Sequence, residues 1–149
     1  MDTWWIDEPR LLGSGNPTDR DLEELRRRGF TVLVSLLPEE TQPPRYDLRR
    51  AAGLGFARYN LPVEDFRPPT VEQLEQFVRL VSSLSPEART VVHCEAGVGR
   101  TGTFAAAYWV AKGLTVAEAV ARVRRARPGA VETREQEAVL RQFAARRRA

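Results

Sequence analysis

The only histidine and the only cysteine of this 149-residue chain stand side by side, His93-Cys94, in the stretch "VVHCEAGVGRTGT" at residues 91–103. Counted from the sulfur, the stretch is Cys-x5-Arg: a nucleophile followed, at Arg100, by a fixed cation. Counted from its glycines, Gly97-x-Gly99-x-x-Gly102 has the spacing of a dinucleotide-binding turn. Both readings place an anion at a helix N-terminus, where unpaired backbone N–H groups and the helix dipole favour negative charge. Only the first uses the thiol as a reagent.

The glycine reading needs a strand after the helix, ending about 20 residues on in an acidic residue for a ribose. That position falls in "TVAEAVARVRRA" (115–126), which has helical periodicity, and its acidic residue, Glu118, stands near a helix start. A nucleoside-triphosphate loop is excluded as well, because it needs Gly-Lys-Ser/Thr and the chain has Gly99-Arg100-Thr101. The cysteine reading finds every part it requires. A short apolar strand, residues 90–93, delivers Cys94 to the carboxyl edge of a sheet, and a helix N-terminus just beyond it favours a thiolate over a thiol. The five intervening residues let the loop curl round a tetrahedral oxyanion such as phosphate. The amides of Glu95, Ala96, Gly97, Val98, Gly99 and Arg100 then point inward, and the Arg100 guanidinium forks two oxygens. Gly97 and Gly99 permit the close approach of backbone to ligand. Thr101 brings a hydroxyl within reach of the sulfur.

On these residues the chain resembles the cysteine-based protein tyrosine phosphatases, in particular their small dual-specificity branch. Residues 93–101 match the family signature His-Cys-x5-Arg-Ser/Thr without a gap. "RLLGSGNPT" (10–18), "GFTVLVSLLPE" (29–39), "LPVEDFRPPT" (61–70) and "RPGAVETREQEAVLRQF" (127–143) extend the likeness over nearly the whole chain. The resemblance implies hydrolysis of phosphate monoesters on proteins or peptides through a phosphocysteine. Phosphotyrosine is the expected substrate group, with phosphoserine and phosphothreonine open to a shallow pocket. Cys94 attacks phosphorus and Arg100 holds the equatorial oxygens. Asp65, a few residues before Pro68, protonates the leaving oxygen and then helps activate water; the adjacent Glu64 is its chemical rival. Thr101 stabilises the leaving thiolate, Gln136 positions the attacking water, and His93 orients the loop. No metal and no organic cofactor is implied. Inositol-lipid phosphatases similar to this family carry lysines inside the loop. Here Glu95, Ala96 and Val98 occupy those positions, and a carboxylate repels a polyanion. Hydrolysis of phosphoinositides or other small phosphate monoesters, or a non-catalytic phosphate-binding module, are the alternatives.

The elements that must position these residues alternate in type. Strands are expected near 3–6, 10–12, 31–36, 56–61 and 90–93. Thr18 caps a helix with Leu22 and Leu25 inward and Gly29 at its end, and a short helix runs over about 46–52. Thr70 with Gln73 forms a capping box for a helix to about residue 84. After Gly102 the pattern is helical almost throughout, with runs over 104–112, from Thr115 to about 126, and from Thr133 to about 146. The fold class is therefore α/β: a central, mainly parallel sheet of four to five strands flanked by helices, with a helical C-terminal third, in one phosphatase domain spanning 1–149.

Composition agrees with a globular domain: 42% hydrophobic and 29% charged residues. The formal charge is +3, carried almost wholly by arginine, and no basic stripe interleaved with aromatics suggests a nucleic-acid partner. No apolar run approaches the ~20 residues of a membrane span, so a cytoplasmic location with no membrane partner is expected. One cysteine excludes an internal disulfide and a cysteine-cluster zinc site.

Overall fold

The structure, a computed structural model, describes residues 1–148. It divides into two compact units: Met1–Pro62 with Ser85–Gly97, and Val63–Leu84 with the chain from Val98 onward.

The first unit holds the sheet. Its strands are β1 (Thr3–Asp7), β2 (Leu11–Ser14), β3 (Val32–Ser35), β4 (Ala57–Asn60) and β5 (Thr90–His93), in the order β1-β2-β5-β3-β4. Only β1 and β2 run antiparallel; β2–β5, β5–β3 and β3–β4 are parallel. The last strand in sequence is thus the central one. Its "TVVH" is buried at all four positions, as a strand paired on both sides should be. Ser14 and Ser35 both pair with His93, so three strand ends lie level where the Cys94 loop begins. Helices α1 (Asp19–Arg27) and α2 (Leu48–Gly53) bury Leu22, Leu25 and Ala51 against Leu12, Phe30, Leu33 and Val91. Each leucine contributes about 2 kcal/mol by leaving water.

The short helix starts later than the sequence suggests. Asp47 caps it, accepting from the Arg49 and Arg50 amides at 2.8 and 3.1 Å. Tyr46 is therefore left outside the helix and buried in the core. β4 is an edge strand, mostly exposed and carrying Arg58, which suits a strand with one unpaired side.

The second unit is helical: α3 (Val71–Ser83), α4 (Gly99–Ala111), α5 (Val116–Ala126) and α6 (Arg134–Arg148). α4 is buried on every side from Gly99 to Val110, which is the mark of a central helix. α3, α5 and α6 pack against it, and Phe77 of α3 meets Phe104 edge-to-face at 5.3 Å. α4 begins five residues before the run predicted from Phe104, so Arg100 and Thr101 lie in its first turn. Gly102 explains the early start, because a Cβ there would come within 2.7 Å of the Ala130 side chain; only glycine lets the two segments close. Among the described residues, no helix is long and apolar enough to cross a membrane.

Thr70 and Gln73 form the expected reciprocal cap, each side chain meeting the other's backbone N–H at 3.0 Å. Thr70→Ala is expected to lower the unfolding free energy by about 1 kcal/mol in urea titration, with Thr70→Ser recovering most of it.

Candidate active site

In the first unit, β5 ends at His93 and the chain turns into the loop at Cys94, which is 2% exposed. The Gly97 N–H donates to Cys94 Sγ at 3.2 Å, giving the sulfur a backbone donor from across the turn. Gly97 has φ +78°, and a Cβ on it would lie 2.7 Å from Gly15 N and Ser14 C, so the position excludes a side chain on two counts. The loop is also tied outward. The Asn16 N–H donates to the Glu95 carbonyl at 2.9 Å, and Trp4 Nε1–H donates to the Gly97 carbonyl at 2.8 Å. Gly13, which pairs with Trp4 across the strands, makes this possible: a Cβ at Gly13 would strike the indole at 2.7 Å.

The Glu95 carboxylate does not stand alone. Asn16 Nδ2 donates to it at 3.1 Å and Arg45 Nη2 at 3.0 Å. His93 Nε2 meets Tyr46 Oη at 2.8 Å. The same hydroxyl accepts from Arg58 Nε at 2.9 Å, and Arg58 pairs with Glu39, which accepts from Ser35 Oγ. A largely buried polar chain thus runs from the sheet edge to the residue before Cys94. Burial raises the Tyr46 phenol well above its ordinary range.

In the second unit, α4 opens with Gly99, where a Cβ would run into the Glu132 carboxylate. Arg100 follows with its side chain 1% exposed. Its Nη1 donates to the Val63 carbonyl at 2.8 Å, and its Nη2 lies 3.5 Å from Asp65 Oδ1, on a side chain that is 45% exposed. Asp65 sits in a closed turn: the Phe66 N–H donates to its Oδ1 at 3.0 Å and the Arg67 N–H to the Glu64 carbonyl at 3.0 Å. Phe66 holds φ 63° with its ring 61% exposed. Gln136 is wholly buried. Its Oε1 accepts from the Glu132 and Thr133 amides at 2.7 and 3.1 Å, and its Nε2 donates to the Arg67 carbonyl at 3.2 Å. The amide that the resemblance assigns to the attacking water is therefore engaged with backbone at both ends. Thr101 is buried in the first turn of α4.

The structure thus gathers His93, Cys94, Glu95, Ala96 and Gly97 in one unit, and Val98, Gly99, Arg100, Thr101, Asp65 and Gln136 in the other. Sequence reasoning missed Glu132, the Asn16–Arg45 hold on Glu95, and the tie from Trp4. Trp4 carried a weak signal, since a tryptophan opposite a glycine on paired strands covers that glycine.

The family model described as "Tc-R-P: Polymorphic toxin system, DSP-PTPase phosphatase" matches residues 10–114, well over half the chain. The chain belongs to this dual-specificity and protein tyrosine phosphatase family. Among its relatives, "Protein tyrosine phosphatase domain-containing protein 1" of Bos taurus is 30% identical over 130 residues, covering 87% of this chain and 14% of the relative. "Dual specificity protein phosphatase CDC14AB" of Danio rerio is 30% identical over 142 residues, covering 85% of this chain and 22% of the relative. The chain thus spans a small part of the length of these curated relatives. The solved structure of Tk-PTP "in the active form" is 36% identical, with a TM-score of 0.88, and 97% of each chain is covered. PTPMT1 "in complex with PI(5)P" shares the fold at 21% identity and TM-score 0.85, with 99% of each chain covered. The expected α/β class, with a five-stranded, mainly parallel sheet and a helical C-terminal third, is the one observed.

Two variants test this geometry. Gly97→Ala must shift backbone, because the obstructing atoms belong to residues 14 and 15. A loss of about 2 kcal/mol or more in denaturant unfolding is expected, with loss of oxyanion binding. The buried phenol of Tyr46 has its pKa raised by folding, so its contribution to stability is complete below the unfolded value of about 10 and declines as pH rises above it. Stability measured from pH 8 to 12 should fall along this alkaline limb, and Tyr46→Phe should make the limb shallower.

Proposed function

We propose that the chain is a cysteine-dependent phosphatase that hydrolyses phosphate monoesters on proteins or peptides, phosphotyrosine first and phosphoserine or phosphothreonine with it. The observation that carries the reading is the Arg100–Asp65 pair. The cation at the end of the signature loop is buried beside a carboxylate that is nearly half exposed, and Asp65, not Glu64, is the one it meets.

Cys94 thiolate attacks phosphorus in line while the ester P–O bond breaks. Asp65 gives its proton to the departing oxygen. Arg100 and the amides from Glu95 to Arg100 stabilise the equatorial oxygens, whose charge is greatest in the transition state. Water then attacks the phosphocysteine, the Asp65 carboxylate accepts its proton, and the P–S bond breaks. The Thr101 hydroxyl stabilises the returning thiolate. No metal or organic cofactor takes part in this scheme. His93, held by Tyr46, orients the loop. The units 1–62/85–97 and 63–84/98–149 serve as one phosphatase domain, supported by the covalent continuity of the loop from Cys94 to Arg100. A cytoplasmic location belongs to the same reading, because a lone thiol that must stay reduced for catalysis suits a reducing compartment.

One observation favours a second substrate class. Glu95, expected to repel a polyanion, is paired with Arg45 and Asn16, which lessens that repulsion and leaves phosphoinositides as the alternative.

With p-nitrophenyl phosphate, Cys94→Ser should show no turnover. Asp65→Asn should lose about 100-fold in kcat and the basic limb of the pH–rate profile. Turnover that survives in Cys94→Ser would refute the mechanism. A panel of phosphotyrosyl, phosphoseryl and phosphothreonyl peptides beside PI(5)P vesicles decides the class: a higher kcat/KM on the lipid would replace the protein-substrate reading.

A further inference from the structure

The turn that carries Asp65 is held from both ends inside one unit. At its start, Arg100 Nη1 donates to the Val63 carbonyl; at its finish, Gln136 Nε2 donates to the Arg67 carbonyl. Between them the 64–67 hydrogen bond closes the turn, and Phe66 takes a left-handed φ of 63°, a conformation that a non-glycine residue keeps only when its surroundings impose it. Gln136 is well suited to impose it. Its Oε1 is fixed by two amides in the segment leading into α6, its backbone N–H is capped by Thr133 Oγ1 at 3.1 Å, and its side chain is fully buried. A long amide fixed at one end makes its other end a rigid donor, and that donor reaches the residue two places after the proposed acid.

We infer that Gln136 is a positioning residue for the general acid: it locks the 63–67 turn so that Asp65 is presented to the leaving oxygen. This rests on the reading of Asp65 as the acid. It differs from the water-positioning role in the step affected. Presentation of the acid acts when the ester bond breaks, and so on kcat/KM. Placement of water acts when the phosphocysteine is hydrolysed, and so on kcat alone.

The test compares phenyl phosphate, whose leaving oxygen needs a proton, with 2,4-dinitrophenyl phosphate, whose leaving oxygen does not. Gln136→Leu, confirmed folded by circular dichroism and thermal melting, should lose about 10-fold or more in kcat/KM for phenyl phosphate and under about 2-fold for the dinitrophenyl ester. Gln136→Glu keeps the acceptor for the two amides and lacks the donor to Arg67, so it should share the selective loss even if Gln136→Leu fails to fold. In an Asp65→Asn background, either substitution should add no further loss of leaving-group discrimination, as expected of two residues acting through one step. Equal losses for the two esters, a fall in kcat with unchanged kcat/KM, or a selective loss that persists without Asp65 would each overturn the inference. If Asp65→Asn alone shows no leaving-group selectivity, the acid assignment itself falls, an outcome distinct from the other three.

Discussion

A guanidinium almost entirely removed from water must be answered by oxygen atoms, and the second unit is organised round that requirement. Arg100 lies in the first turn of α4, where the helix dipole is already positive, so the position is unfavourable for a lone cation and favourable for whatever anion joins it. The Val63 carbonyl and the Asp65 carboxylate supply part of the compensation. A phosphate group would supply more, with two oxygens for the fork. The same desolvation that makes the site costly to build makes its attraction for a tetrahedral oxyanion strong, because neither charge is shielded by solvent. The turn at 63–67 is held against that charge, through the Val63 carbonyl at its start and the Asp65 carboxylate within it.

The first unit meets a different constraint. β5 must end in a loop whose backbone curls tightly, and a tight curl leaves its carbonyls pointing outward without the partners a strand or helix would provide. The chain answers them from neighbouring segments: Trp4 takes the Gly97 carbonyl and Asn16 the Glu95 carbonyl. The outward-facing carbonyls at the start of the loop are thus satisfied by donors outside it.

Much of this was legible in the residues. The loop signature, the threonine caps at 18, 70 and 115, and the β/α alternation all rest on local rules of spacing and hydrogen bonding, which a linear reading can apply. The structure contains each of them. The start of α4 lies earlier than the run expected from Phe104: glycines at 99 and 102 lower helix propensity, and close packing against Ala130 outweighs that cost. The sequence places Tyr46 at the start of a short helix, but Asp47 one place on is the better cap and leaves Tyr46 to the core. Glu132 gave no signal at all. Its place against Gly99 depends on how the segment after α5 folds back, including a left-handed Val131 that no sequence rule would choose. Gln136 stands in the segment that carries the family resemblance, yet its partner Arg67 lies 69 residues away, and a contact at that separation is invisible to periodicity.

The hydrogen bond from Trp4 to Gly97 joins residues 93 places apart. Those two residues come from opposite ends of the polypeptide needed for the sheet, and β5 enters between strands made long before it. A nascent chain emerging from the ribosome therefore carries β1 to β4 with a central place in the sheet still empty until residues 90–93 follow. The loop that carries Cys94 can take this place only once β5 lies between its neighbours, so its closure depends on contacts of long sequence separation.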